Sequence, residues 1–311
     1  MVYVSLLFGL LMICKGGDWF VDAAAGIAEA FGIPKYVIGA TIVSFATTMP
    51  EMIVSAAAAL QGQPVMAIGN AVGSVSANTG LILGISLVCI PAAVKRKEYL
   101  TKTVLYLGSL LLLFISFLDG KFTTSDSVLL LLAGILFLII NAHSAVKSGN
   151  ITGQEYRGKR ELAKKGGFFL LGAASIVVGS QLLIDSSCEI ARIFGIPENV
   201  ISVTIVAMGT SLPEFITTIT AIIKKESALS VGNIVGANMI DTAFILPVCT
   251  LLKRESLPVS AVMQRIDMPV CVVLGAAALL PMLFREKIRR TDGIVVMGIY
   301  LLYFLYITVL L

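Results

Sequence analysis

Charge is scarce in this sequence. Lys, Arg, Asp and Glu together make up 14% of 311 residues, where soluble domains carry about a quarter. That shortage excludes a soluble globular fold of this size, which needs far more polar surface. There is one histidine, His143, so a histidine metal site or proton relay has no second member. The five cysteines, Cys14, Cys89, Cys188, Cys249 and Cys271, stand apart with no CxxC pair. This spacing excludes a thiolate metal site and a disulfide framework, and the cysteines read as buried small apolar residues. The net charge of +4 is too slight to call for nucleic acid.

What the chain has in abundance is apolar sequence: 57% hydrophobic residues and a mean hydropathy of +0.95. Apolar runs of bilayer-crossing length recur from end to end. They predict an all-α membrane protein with ten transmembrane helices, near 3–30, 36–61, 65–92, 102–118, 125–145, 166–192, 198–223, 228–251, 267–284 and 293–311. Nine further runs follow the first, which therefore reads as a retained span and not a cleaved signal. With the N-terminus outside, seventeen Lys and Arg fall in inner loops and five in outer ones. The positive-inside rule then predicts both termini outside a cell membrane.

The sequence also repeats itself. "FGIP" at 31–34 returns at 194–197, "TIVSFATTMPE" at 41–51 returns as "TIVAMGTSLPE" at 204–214, and "GNAVGS" at 69–74 returns as "GNIVGA" at 232–237. Residues 18–78 align without gaps on 181–241, with 21 identities in 61 positions. Each copy holds five spans, an odd number, so the copies must cross the membrane in opposite senses. The expected organisation is a first five-helix repeat at 1–145, a polar cytoplasmic linker at 146–165 and an inverted repeat at 166–311. Inverted repeats with interrupted helices near the midplane belong to secondary transporters.

A proline and a glutamate lie side by side in the middle of two spans: Pro50 and Glu51, then Pro213 and Glu214. Proline removes a backbone hydrogen bond and frees the carbonyl four residues back, here Ala46 and Gly209. Carboxylates inside a membrane are costly unless paired or hydrated. Thr47 and Thr48 share a helix face with Glu51, as Thr210 and Ser211 do with Glu214. Carboxylate, hydroxyl and freed carbonyl are hard oxygen donors, suited to Ca²⁺ or Na⁺. The following spans add stripes spaced by four, Asn70, Ser74 and Asn78 against Asn233, Ala237 and Asp241. A two-fold axis in the membrane plane would bring Glu51, Glu214 and Asp241 to one centre. Asp18, Asp22, Asp185 and Glu189 read as interfacial or structural charges, and the Gly-Asn pairs as packing or turn features.

These residues resemble the sodium/calcium exchanger family of cation/calcium antiporters. The resemblance rests on "GATIVSFATTMPE…GNAVGSVSAN" and "SVTIVAMGTSLPE…GNIVGANMID". It implies a central calcium site made by Glu51 and Glu214 with the carbonyls of Thr47 and Thr210, completed by Asn78 and Asp241. It implies flanking sodium sites. One uses Thr48 and the position of Ala237, the other Ser211 and Ser74, and the carbonyls of Ser44 and Ala207 contribute. The family pattern has serine where this chain has Ala237. The implied function is exchange of several Na⁺ for each Ca²⁺, with the first and sixth helices sliding to alternate access. The ions are substrates; no cofactor and no obligate protein partner are expected. Proton- or potassium-coupled Ca²⁺ antiport is the alternative within the class, and a pure channel is disfavoured. An intramembrane phosphate-handling enzyme would need Arg or His beside the acids, and no Arg lies in a central span.

Overall fold

A computed structural model of the protein describes residues 2–89, 96–148, 159–195 and 209–310. Nearly all of it is helix. The elements are α1 (Val2–Ala30), α2 (Lys35–Thr47), α3 (Met49–Leu60), α4 (Pro64–Cys89), α5 (Arg96–Phe117), α6 (Thr124–Ser148), α7 (Lys159–Ile193), α8 (Leu212–Ile223), α9 (Ala228–Lys253), α10 (Met263–Arg285) and α11 (Arg290–Leu310). Among the described residues eight helices are long and apolar enough to cross a membrane, and α2 with α3 makes a ninth if counted as one broken span. Of the span expected at 198–223, residues 198–208 lie outside the described residues; α8 is its second part. Helix also occupies both ends of the expected linker, because α6 runs to Ser148 and α7 starts at Lys159.

The exposed large side chains are those a lipid-facing surface requires. Val4, Leu7, Phe8 and Leu11 of α1, Leu132, Ile135 and Ile139 of α6, and Leu301, Leu302 and Leu305 of α11 all face outward. On a soluble protein such a surface would aggregate. Of the cysteines, Cys249 and Cys271 are buried as expected, but Cys14 and Cys89 are exposed. A small apolar thiol sits as well against lipid as in a core. The side chain of Cys188 lies outside the described residues.

The FGIP turns follow from their glycines. Gly32 (φ 61°) and Gly195 (φ 73°) both adopt the left-handed conformation. Ile33 N donates to Ala28 O at 2.8 Å and Gly32 N to Glu29 O at 3.2 Å, a glycine C-cap that ends α1 just before Pro34.

The chain divides into two compact units. The first comprises residues 1–50 and 143–233. In it α1 and α7 run antiparallel along a glycine seam. A Cβ added at Gly9 would lie 2.9 Å from Gly179 O, and one at Gly16 would lie 3.0 Å from Gly172 O. Lipid gives little hydrophobic drive for helix association, so backbone approach over small residues has to hold such a pair. The seam obeys the sequence repeat: residues 9 and 172, like 16 and 179, are related by the offset that relates 31 to 194. Phe20 and Phe169 stack at 4.5 Å beside it. At one end Lys224 Nζ meets Asp22 Oδ2 at 2.7 Å and Asp18 Oδ1 at 3.4 Å, and Lys35 meets Glu226 at 2.7 Å. The expected structural reading of Asp18 and Asp22 fits these pairs. Asp185 accepts from Gln181 at 2.8 Å on an exposed surface.

The second unit comprises residues 51–142 and 234–311. Here α4 packs on α11, with a Cβ at Gly293 meeting Gly84 O at 2.5 Å. Helix α10 packs on α5, where Gly275 faces Leu110. Two short strands, β1 (Lys121–Phe122) and β2 (Leu257–Pro258), pair antiparallel with Lys121 opposite Pro258. The pattern of the sequence did not predict them, since two residues are too few to show alternation.

Candidate ion-binding site

The expected interruption is present in both copies, and its place differs from a simple proline kink. Helix α2 stops at Thr47; Thr48 takes φ −86°, ψ 0°, and α3 begins at Met49. In the second copy Ser211 takes φ −86°, ψ 8°, and α8 begins at Leu212. Thr48 and Ser211 are repeat equivalents, so the same break occurs twice with nearly the same backbone. Each break precedes its proline by two residues. Pro50 and Pro213 therefore sit in the first turn of a new helix, where the missing N–H is no loss. Glu51 and Glu214 follow in the same first turn, at the end where the helix dipole favours negative charge. Both glutamates are fully buried.

In the first unit, Thr48 Oγ1 donates to Glu214 Oε1 at 3.0 Å. Thr47 Oγ1 donates to Ser44 O at 3.2 Å and to Asn233 Oδ1 at 3.4 Å. Ser44 Oγ donates to Thr41 O at 3.0 Å. Buried Thr210 and Ser211 stand one turn before Glu214. Glu214 Oε2 and Ser211 Oγ are buried with no hydrogen-bond partner among the described residues. Buried polar atoms left in this state cost about 1–3 kcal/mol each, and a cation is one partner that removes the cost. Ala207 lies outside the described residues.

In the second unit, Asn70 Nδ2 donates to Glu51 O at 3.2 Å and to Ser55 Oγ at 2.9 Å. Asn78 Nδ2 donates to Asp241 Oδ2 at 3.4 Å. Ser74 Oγ is buried without a partner among the described residues, and Ala237 is fully buried. Asn78 and Asp241, again repeat equivalents, each open a π-helical turn, Asn78–Leu83 and Asp241–Ile245. Such turns concentrate at functional sites, because they release the regular ladder of carbonyls. Among the described residues, within neither unit do three His, Cys, Asp or Glu side chains gather to hold a metal. The donors each unit offers are one or two carboxylates with hydroxyls and amides.

The packing reading of the Gly-Asn pairs holds for Gly232, whose Cα approaches Tyr36 O so closely that any Cβ would collide. The sequence reading took Asn233 as a packing or turn feature, yet its side chain accepts from Thr47 Oγ1, and that reading missed one buried cluster altogether. In that cluster Asn238 Nδ2 donates to Thr79 Oγ1 at 2.8 Å and to Tyr106 OH at 3.1 Å.

Buried hard-oxygen donors at helix interruptions, in a chain of lipid-length helices, define a membrane cation transporter. Comparison with known proteins gives the particular family. The family model described as sodium/calcium exchanger protein matches residues 1–142 and 164–309, and this chain belongs to that family. It is a family of ion exchangers, not enzymes. The chain is 34% identical over 301 residues to an uncharacterized membrane protein of Methanocaldococcus jannaschii, covering 95% of this chain and 94% of the relative. It is 28% identical to the sodium/calcium exchanger MaX1 of Methanosarcina acetivorans, covering 96% of each. Its fold is similar to a solved structure of the sodium-calcium exchanger NCX_Mj soaked with sodium, with TM-score 0.87, 31% identity and full coverage of both chains.

Proposed function

We propose that the protein is a secondary active antiporter that exchanges Na⁺ for Ca²⁺ across the cell membrane by alternating access. The observation that carries this reading is the matched pair of helix breaks at Thr48 and Ser211, each followed by a proline and a fully buried glutamate. Membership of the exchanger family supports it. The antiparallel glycine seam between α1 and α7 supports an inverted arrangement of ten helices, with repeats at 1–145 and 166–311, a linker at 146–165 and both termini outside. We assign calcium to the carboxylates of Glu51 and Glu214 with the carbonyls of Thr47 and Thr210. Asn78 and Asp241 complete that layer. Sodium takes two flanking positions, one with Thr48 and the carbonyl of Ser44, the other with Ser74, Ser211 and the carbonyl of Ala207. Stripped of water, a divalent ion needs full carboxylate charge, whereas sodium is held by neutral oxygens. The hydroxyls of Ser74 and Ser211, which have no partner among the described residues, supply such oxygens.

Vesicles containing the purified protein test the reading. An imposed outward sodium gradient should drive ⁴⁵Ca²⁺ uptake at clamped pH and without potassium. Uptake that ignores sodium but follows a proton or potassium gradient would replace the coupling ion. Ala237, lacking the hydroxyl of the family's serine, is the feature that makes this comparison worth running.

A further inference from the structure

We propose that Tyr106 is a positioning residue for the calcium layer, acting through Asn238 and Thr79 on the Asn78–Asp241 pair. The proposal rests on the assignment of Asn78 and Asp241 to the ion site, and its test separates the two. Tyr106 belongs to α5, which carries none of the repeat motifs. Its hydroxyl is fully buried. It receives Asn238 Nδ2 at 3.1 Å and lies 3.4 Å from Thr79 Oγ1, while Asn238 Nδ2 also reaches Thr79 at 2.8 Å. Three polar groups thus close a triangle inside the second unit. Thr79 is the residue after Asn78, and Asn238 lies one turn before Asp241. The triangle therefore ties together the start of both π-helical turns, at the two residues whose side chains meet at 3.4 Å.

Among the described residues the arrangement has no counterpart in the other copy. Thr242 is the repeat equivalent of Thr79, but its hydroxyl turns back to Asn238 O at 2.6 Å within its own helix. Val75 stands where Asn238 would be. Where the pair itself is unequal, aspartate against asparagine, the protein has added a brace from a helix that carries none of the repeat motifs. On its far side Asp241 faces a gap with Val72, Val75, Leu110, Leu113, Met268 and Cys271 that is too small for water. No solvent is available there to take over the work of the brace.

Losing the Tyr106 hydroxyl removes hydrogen bonds to both members of the brace while Phe keeps the ring in place. Tyr106→Phe should raise the calcium concentration for half-maximal sodium-driven ⁴⁵Ca²⁺ uptake by about three- to tenfold, the range for one buried hydrogen bond. The sodium concentration for half-maximal uptake should stay the same. In the Asp241→Asn background the added effect of Tyr106→Phe should disappear, since residues acting through one network are not additive. Phe117→Leu, a packing change three turns away on the same helix at a fully buried ring that meets Phe122, should lower thermal stability without moving the calcium dependence. An unchanged calcium dependence in Tyr106→Phe, an equal shift for sodium, or full additivity with Asp241→Asn would each overturn the proposal. An Asp241→Asn protein with the original calcium dependence would instead remove Asp241 from the site, and with it the ground on which the brace was assigned.

Discussion

Replacing Glu214 by glutamine separates ion binding from folding more cleanly than any other change in this protein. The amide has the shape of the carboxylate and keeps an oxygen to accept Thr48 Oγ1, which donates at 3.0 Å. The second oxygen, Oε2, has no hydrogen-bond partner among the described residues, so little in the fold depends on it. What disappears is a charge in a fully buried position. Removing one member of a buried charge pair costs about 3–5 kcal/mol, which is roughly a hundred- to several-thousand-fold in affinity. Calcium binding should fall by that amount in Glu214→Gln, and exchange should be lost at ordinary calcium concentrations. Without ions the variant should be as stable as the parent or more so, because an uncompensated buried carboxylate has been neutralised. Two measurements decide the matter: sodium-driven ⁴⁵Ca²⁺ flux in vesicles, and the shift of the melting temperature on adding calcium. A bound ligand raises that temperature only if it still binds the folded state. Glu51→Gln should behave alike. Normal calcium flux, or an undiminished calcium-induced shift, in a well-folded Glu214→Gln protein would refute the reasoning.

The neutral donors should respond differently. Ser74→Ala and Ser211→Ala remove buried hydroxyls that have no partner among the described residues, so the ion-free protein should gain stability, by up to about 1–3 kcal/mol. The sodium needed for half-maximal exchange should rise several-fold in a sodium titration of ⁴⁵Ca²⁺ flux. Ala237→Ser restores the family's hydroxyl at a fully buried position and should lower the internal sodium requirement, read in oriented vesicles; an unchanged requirement would mean that sodium gains nothing there. Gly172→Ala places a Cβ 2.7 Å from Phe20 N, so the α1–α7 seam must open at about 1–3 kcal/mol and exchange should slow. Gly69→Ala meets nothing within 4 Å and should melt and transport like the parent.

The candidate site was legible in the sequence because it rests on side chains that the membrane otherwise forbids. A buried glutamate beside a proline, written twice at a fixed offset, is visible without coordinates. The backbone was less readable. Proline alone predicts a kink within a helix, yet the breaks fall at Thr48 and Ser211, and the prolines begin the next helix at no cost in hydrogen bonds. Only the shared φ and ψ of those two residues reveal that. The π-helical turns at Asn78 and Asp241 have no sequence signature, because one extra residue in a turn leaves apolar periodicity almost untouched. Burial of cysteine was overread at Cys14 and Cys89 for a membrane-specific reason: the outside of the protein is as apolar as its core. Tyr106 escaped a search by self-comparison because it lies in a helix that carries none of the repeat motifs. A duplicated chain starts with equal halves, and opposed ions of unequal charge need unequal halves. Such asymmetry has to come from substitutions such as Asp241 against Asn78, or from helices beyond the repeat motifs. α5 is one such helix, and the buried hydroxyl of its Tyr106 stands against a pair in which the two copies carry different charge.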